Sequence, residues 1–296
     1  MSKRMLGNLM LLVGAMIWGA AFVAQSVGMD YVGPFTFQTA RCFLGSVVLL
    51  PVIWFRDKTG HNPHRPASRE DWKVLLLAGL SCGTVLFAAC SLQQLGLLYT
   101  TAGKSGFITA FYIILVPVFG LFFQKKVKPW VWISVVLAIV GLYLLCAGET
   151  MTVGRGEWLT LGCAVAFSIQ ILCIDYFSPR VDGVRLCSLQ FFICGLISLL
   201  VMFCTEQPTW EAVLQCWLPI GYAGVLSSGV AYTFQIIAQA YTEPTVASLL
   251  MSLESVFSAL FGWLLLHQTL SGKELLGCAL VFSGVILAQL PGKEKT

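Results

Sequence analysis

The chain has 296 residues, of which 57% are hydrophobic and only 11% are charged, and its formal net charge is +4. Soluble globular domains carry roughly 25% charged residues. This chain therefore has too few charged side chains to cover a soluble surface, and a soluble enzyme is excluded. The positive charges form no concentrated basic segment, so we expect no nucleic-acid partner.

Ten long apolar segments follow one another along the chain. A helix needs about 20 apolar residues to cross about 30 Å of hydrocarbon, and continuous apolar runs favour helices over the alternating strands of a β-barrel. Lys3 and Arg4 precede the first run, as in a signal peptide, but nine further runs follow, so we expect this helix to be retained. The predicted spans are 9–27, 34–55, 74–93, 99–123, 130–147, 157–177, 186–204, 216–236, 244–266 and 275–290.

The basic residues lie mainly on one side of these spans. With the N-terminus placed inside, fourteen of the 18 Lys and Arg residues fall in inside segments, and only Arg155 and Lys273 fall in outside loops. Cytoplasmic loops carry such an excess of positive charge. The sequence therefore predicts a multi-pass protein of the cell (cytoplasmic) membrane with both termini in the cytoplasm.

The second half of the sequence repeats the order of the first. Thr100 to Ala102 matches Thr245 to Ala247 at an offset of 145 residues, and Gly141 matches Gly284. Each half holds five spans, an odd number, so the second copy enters the membrane in the opposite orientation. Inverted repeats are an architecture of transporters. We predict an all-α membrane protein of ten transmembrane helices, arranged as two inverted five-helix repeats, residues 1–148 and 149–296, around a central cavity.

Several motifs share an order with one known family. Trp18-Gly19 lies in the first span, and Pro34 opens the second with Arg41 seven residues later. The stretches TTAGKSGFITAFYIILVP (residues 100–117) and PTVASLLMSLES (residues 244–255) lie in the fourth and ninth spans. Together these features resemble the EamA branch of the drug/metabolite transporter superfamily over nearly the whole chain. Two positions depart from that family: Glu254-Ser255 stands where Glu-Pro is frequent, and His267-Gln268 where a Glu commonly follows.

The resemblance implies a secondary transporter of a small metabolite, such as an amino acid or related compound, that works by alternating access with export as the favoured direction. It does not identify the substrate. Two other classes of function stay open. An intramembrane enzyme would need a catalytic His or a metal set within the spans, and a non-transporting scaffold or sensor would be expected to carry an added soluble domain.

Short motifs of soluble enzymes have simpler explanations here. The G-x-S-x-G pattern at residues 79–83 lies inside an apolar span, where small residues let helices approach closely. Gly103-Lys104-Ser105 lacks the first glycine of a Walker A loop, because Leu98 stands in its place. His61 and His64 have no clustered third ligand, and the cysteines lie mostly in apolar runs as packing residues. We therefore expect no enzyme activity, no cofactor and no metal.

Polar and aromatic side chains within the spans are the candidate substrate-binding residues. Ionisable groups at the bilayer centre are costly, by at least roughly 2.5–3.5 kcal/mol, and tend to face a cavity. Glu254 lies deep in the ninth span and is a candidate carrier of a proton as coupling ion. Arg41 and Lys104 lie in the outer half of their spans, where they either bind a substrate carboxylate or reach the headgroups as anchors. The predicted set is Trp18, Gln38, Arg41, Lys104, Phe107, Tyr112, Gln170, Tyr232, Gln235 and Glu254.

Overall fold

The computed structural model describes residues 3–60, 64–100, 102–122, 128–145, 154–266 and 271–289, and it describes only the backbone of residues 102–104, 145, 262, 265–266 and 289. Within these ranges the chain is helical and holds no β-strand. The helices are α1 Lys3–Gly28, α2 Pro34–Lys58, α3 Arg69–Leu97, α4 Ala102–Thr109, α5 Tyr112–Phe122, α6 Pro129–Leu145, α7 Arg155–Phe177, α8 Gly183–Thr205, α9 Trp210–Gln215, α10 Trp217–Gly221, a π-helical segment Tyr222–Ala231, α11 Tyr232–Gln239, α12 Pro244–Met251, α13 Leu253–Leu266 and α14 Gly272–Gln289.

Each of the ten predicted apolar segments contains helix in the described part of the chain. Eight described helical stretches are long and apolar enough to cross a membrane, and a shorter apolar helix covers Pro129–Leu144. The outer surface of the bundle agrees with this, because Leu76, Leu77 and Leu80 of α3 are each more than half exposed. Apolar side chains on the outside suit a lipid solvent. The chain is therefore an all-α, multi-pass membrane protein.

Local sequence explains where several helices begin. Pro34, Pro129 and Pro244 stand at the first positions of α2, α6 and α12, where a missing amide hydrogen costs least. Ser68 caps α3 by accepting a hydrogen bond from the amide of Asp71 at 3.1 Å. Asp182 caps α8 in the same way, with 2.8 Å to the amide of Arg185.

Helices α2 and α8 lie antiparallel and are joined at both ends. At one end Glu206 accepts hydrogen bonds from the amides of Phe35 and Thr36, both at 2.8 Å, so a carboxylate sits on the positive N-terminus of α2. At the other end Asp57 of α2 forms an ion pair with Arg185 in the first turn of α8. These contacts hold a helix from the first half of the chain against a helix from the second half.

Helices α6 and α14 pack together through glycines. A Cβ placed on Gly141 of α6 would lie 2.6 Å from the carbonyl oxygen of Gly277, and a Cβ placed on Gly284 of α14 would lie 2.7 Å from that of Ser134. Neither distance leaves room for a methyl group. The glycines therefore permit a backbone contact that no other residue allows without movement of a helix.

Candidate functional site

A polar cavity of about 50 Å³ lies among helices from both halves of the chain. Its apolar walls are Phe22, Phe167, Ile171 and Met251. Its polar, charged and amphipathic walls are Trp18, Gln25, Arg41, Gln93, Thr109, Tyr112, Gln170, Ser227, Tyr232, Gln235 and Glu254. Small-molecule sites combine apolar walls with a few placed polar groups in this way.

Two interrupted helices meet at this cavity. The first interruption separates α4 from α5, where the amides of Ile113 and Ile114 bond carbonyls only three residues back. The second separates α12 from α13 at Ser252, whose hydroxyl donates to the carbonyl of Leu249 at 2.8 Å. Such bonds from serine side chains compete with the regular helical pattern. Interrupted helices in both halves of a membrane protein are a pointer to a binding site.

The residues that flank the two interruptions are in direct contact in the wall of the cavity. The hydroxyl of Tyr112, at the start of α5, donates a 3.0 Å hydrogen bond to Oε1 of Glu254, near the start of α13. Both side chains are buried, Glu254 being 8% exposed. A carboxylate offers about four acceptor positions. The bond to Tyr112 therefore leaves Glu254 capacity to hold a proton or a cationic group of a ligand.

Arg41 is the basic residue among the described residues that line the cavity. It is 4% exposed, and its Nη1 donates to Oε1 of Gln25 at 3.3 Å. Its Nε has no hydrogen-bond partner, and none of the ion pairs in the described ranges includes it. A buried charge without a counter-charge is unfavourable. This arrangement is suited to a ligand that brings its own negative group.

Aromatic rings and amides complete the walls. The rings of Trp18 and Tyr232 meet edge to face with 4.9 Å between centroids. The amide of Gln235 donates to Gln239 at 3.0 Å and to Gln170 at 3.4 Å. Within the described part of the chain, Nε1 of Trp18 and Nε2 of Gln170 have no acceptor. With Nε of Arg41, three hydrogen-bond donors of the cavity thus lack a partner, which favours a ligand rich in acceptor oxygens.

The structure brings seven of the ten predicted residues to the cavity, namely Trp18, Arg41, Tyr112, Gln170, Tyr232, Gln235 and Glu254. Gln38 does not line it. Its amide donates to Ser198 at 3.0 Å and to Ser91 at 3.2 Å, so it ties α2 to α8 and α3. Gln38 and Arg41 are three residues apart, a separation of only about 60° around the helix, yet Gln38 contacts α3 and α8 while Arg41 lines the cavity.

Phe107 and Lys104, two further predicted residues, are not among the described residues that line the cavity. Phe107 is buried but packs edge to face on Phe111, with 5.3 Å between centroids, and does not line the cavity. The side chain of Lys104 lies outside the described part of the structure, as does His61. Whether Lys104 reaches the site or the headgroups therefore stays a prediction.

The small-residue motif in α3 has a packing role. A Cβ on Gly79 would meet the side chain of Leu189 at 2.3 Å, and one on Gly83 would meet the carbonyl oxygen of Gln190 at 2.7 Å. Both contacts lie against α8, which agrees with the packing interpretation of the sequence. Across the described ranges, no three His, Cys, Asp or Glu side chains form a group that could hold a metal ion.

Several cavity residues were missed by the sequence prediction, among them Gln25, Thr109 and Ser227. One of them had a readable signal. Gln25 follows Trp18 by seven residues, about two helical turns, so both side chains lie on one face of α1. Ser227 had none, because it lies on the π-helical segment, whose wider turn shifts the helix face.

Comparison with known proteins gives a consistent result. A family model described as the EamA-like transporter family matches residues 5–147 and again residues 154–290. An uncharacterized transporter of Archaeoglobus fulgidus is 30% identical over 294 residues, which cover 97% of this chain and 87% of that protein. A WAT1-related chloroplastic protein of Arabidopsis thaliana is 24% identical, with 93% of this chain and 67% of that protein covered. A solved crystal structure shares the fold, with a TM-score of 0.78, 19% identity and 96% of each chain covered.

Proposed function

The chain belongs to the EamA-like transporter family and is a membrane transporter; from this premise we propose that it exports a small carboxylated metabolite, such as an amino acid, across the cytoplasmic membrane. One observation carries the proposal. Arg41 and Glu254 line the same cavity with opposite charges, yet they form no ion pair with each other. Each charged group is therefore available to a ligand.

The substrate chemistry follows from the cavity walls. The planar guanidinium of Arg41 is suited to two parallel hydrogen bonds with a carboxylate. Glu254 offers a counter-charge to an amino group, and Trp18 and Tyr232 cover an apolar side chain. A zwitterion with an apolar part satisfies all three. The lipid bilayer is the surrounding solvent, and the small molecule is the partner of the site.

Proton coupling is proposed through Glu254. A proton on its carboxyl group removes the negative charge that holds the amino group of the substrate. Proton and substrate then compete for one site, which is the requirement for exchange of one against the other. The hydrogen bond from Tyr112 keeps the carboxyl group at the junction of the two interrupted helices.

The proposed architecture is ten transmembrane helices in two inverted repeats, residues 1–148 and 149–296, with both termini cytoplasmic. Three paired features support it. Each half has an interrupted helix, and α6 and α14 contact each other through a glycine of each helix. In addition, a carboxylate at the C-terminal end of α2 contacts the first turn of α8, and a carboxylate at the C-terminal end of α8 contacts the first turn of α2. The two separate matches to the family model also support it. Such repeats let one central site face either side of the membrane in turn.

The test is counterflow transport in proteoliposomes with matched pairs of probes, leucine against leucinamide and phenylalanine against phenylalaninamide. We expect saturable exchange of the acids, at least about tenfold better than that of the amides, since a lost charge-assisted pair costs more than about 1.4 kcal/mol. Arg41→Gln should remove this preference. Arg180→Gln is the matched control, because Arg180 is exposed and lies outside the cavity.

Two results would contradict the proposal. Equal handling of acid and amide by the wild type would exclude recognition of a carboxylate by Arg41. Saturable binding of the acids without any counterflow would instead favour a sensor over a transporter.

A further inference from the structure

Gln25 of α1 holds the guanidinium of Arg41. Nη1 of Arg41 donates a hydrogen bond of 3.3 Å to Oε1 of Gln25. Both side chains are nearly buried, at 5% and 4% exposed, and both line the cavity. The contact therefore lies at the ligand space itself and not at the surface of the bundle.

The chemical nature of this partner decides how much positive charge the cavity presents. An amide oxygen accepts a hydrogen bond from a guanidinium but carries no net charge, so it fixes the orientation of Arg41 and leaves its charge uncompensated. A carboxylate at the same place would form a charge-assisted pair and occupy the fork that a substrate carboxylate needs. The free Nε of Arg41 shows that the fork is only partly used.

We propose that Gln25 is a specificity-determining residue: it positions Arg41 as an uncompensated cation and so sets the preference of the cavity for carboxylates over their neutral analogues. This inference rests on the proposed carboxylate substrate. It extends that proposal, because it assigns the preference for charged ligands to Gln25, a neutral side chain on α1, whereas Arg41 itself lies on α2. Gln25 acts through Arg41 and is therefore a positioning residue.

The alternative is that Gln25 only packs α1 against α2. Two variants of nearly equal size separate these roles, Gln25→Glu, which adds a charge, and Gln25→Met, which removes the acceptor without adding one. The full-length purified protein is titrated with phenylalanine and with phenylalaninamide, and the ratio of the two affinities is the readout. A packing role would change both affinities together and leave the ratio unaltered.

The expected results differ in size. Gln25→Glu should lower the acid-to-amide ratio by about tenfold or more, because an internal carboxylate takes the place of the ligand. Gln25→Met should lower it by about threefold, because Arg41 keeps its charge but loses its orientation. An unchanged ratio in both variants would overturn the proposal. If Gln25→Glu is not obtained as a folded protein, an unchanged ratio in Gln25→Met alone overturns it.

A second measurement needs no bound probe. Phenylglyoxal modifies accessible guanidinium groups, and peptide mass spectrometry gives the rate at Arg41. We expect Gln25→Glu to slow this reaction by about fivefold or more, as pairing with a carboxylate protects the guanidinium, and Gln25→Met not to slow it. Equal rates in Gln25→Glu and wild type would refute the positioning of Arg41 by residue 25. If the wild type binds neither probe, the proposed substrate class fails, and the labelling rates still decide the role of Gln25.

Discussion

The hydroxyl of Tyr112 donates a 3.0 Å hydrogen bond to Glu254, and this bond joins the beginnings of two half-helices that lie 142 residues apart in the chain. Both residues follow directly on an interruption, Tyr112 after α4 and Glu254 after α12. A change in the charge of Glu254 therefore acts on an ordered contact between the two halves. This hydrogen bond thus connects the two halves of the chain at the cavity itself.

Glu254→Gln should separate exchange from proton coupling. The amide still accepts the hydrogen bond from Tyr112, so folding and insertion are expected to persist, but it cannot take up or release a proton. We expect acid-driven efflux from proteoliposomes to fall to background in this variant. Solute exchange without a pH gradient should remain, though weakened by loss of the counter-charge for the amino group.

The control for this variant is Glu211→Gln, since Glu211 is exposed on α9. A pH gradient that still drives efflux through Glu254→Gln at the wild-type rate would remove Glu254 from the coupling mechanism.

Topology can be checked with cysteines placed on exposed residues of opposite predicted sides. His64→Cys lies between α2 and α3, and Pro208→Cys lies between α8 and α9. The asymmetric distribution of Lys and Arg predicts that residue 64 is cytoplasmic and residue 208 is external. An impermeant maleimide should label Pro208→Cys in intact cells and His64→Cys only after permeabilisation.

Cys204 is also exposed, so the control for labelling is the Cys204→Ser chain without an added cysteine. Replacement of Cys204 by Ser in all samples removes that background. Labelling of both positions from the same side would contradict the inverted repeat.

The helices and the charged residues of the cavity could be predicted from the sequence because each has a local signal. Apolar runs and initial prolines mark α2, α6 and α12, and a carboxylate deep in a span, such as Glu254, has few explanations other than a cavity. The positions of the interruptions had no comparable signal. A proline inside a helix favours a kink, but the first interruption lies before Tyr112 and not at Pro117. The second lies at Ser252, whose hydroxyl bonds the carbonyl of Leu249, although Ser248 makes the same kind of bond within α12.

The direction of individual side chains was the second feature that could not be predicted from the sequence. Gln38 and Arg41 lie in the same turn of α2, yet one faces α8 and the other the cavity. Phe107 had a suitable depth but packs on a neighbouring ring. The choice between such residues depends on how α2 and α4 are rotated about their axes, which is set by contacts with distant helices and not by their own sequence.

The glycine contacts of α6 and α14 predict an effect on stability. In Gly284→Ala the new methyl group would lie 2.7 Å from the carbonyl oxygen of Ser134, so the two helices must move apart. We expect a loss of about 1–3 kcal/mol, as for other overpacked sites. The measurement is the unfolding midpoint in detergent, followed by fluorescence of the native tryptophans.

Gly272→Ala is the matched control on the same helix, because no atom lies within 4 Å of the place that its new methyl group would occupy. A midpoint for Gly284→Ala equal to that of Gly272→Ala would show that α6 and α14 are not in close contact.

The carboxylate at the N-terminus of α2 gives the last prediction. Glu206 accepts three hydrogen bonds there, two from amides and one of 2.6 Å from the hydroxyl of Thr36. Its negative charge also interacts favourably with the positive end of the helix. Glu206→Gln keeps the shape of the side chain but removes its negative charge. It also replaces one carboxylate oxygen, a hydrogen-bond acceptor, by an NH₂ group, which is a donor and cannot bond the backbone amides of α2. We expect a loss of about 1–3 kcal/mol in the free energy of unfolding, measured by denaturant titration in mixed micelles.

Glu211→Gln again serves as the control, because it removes an equal charge from the neighbouring helix α9 at an exposed position. A second variant, Thr36→Val, removes only the hydroxyl contact and should lose less stability than Glu206→Gln, since the two amide bonds remain. If both variants unfold like the wild type, Glu206 does not fix the end of α2. The junction between α2 and α8 would then depend on the contacts of Asp57 with Arg185 at the opposite end.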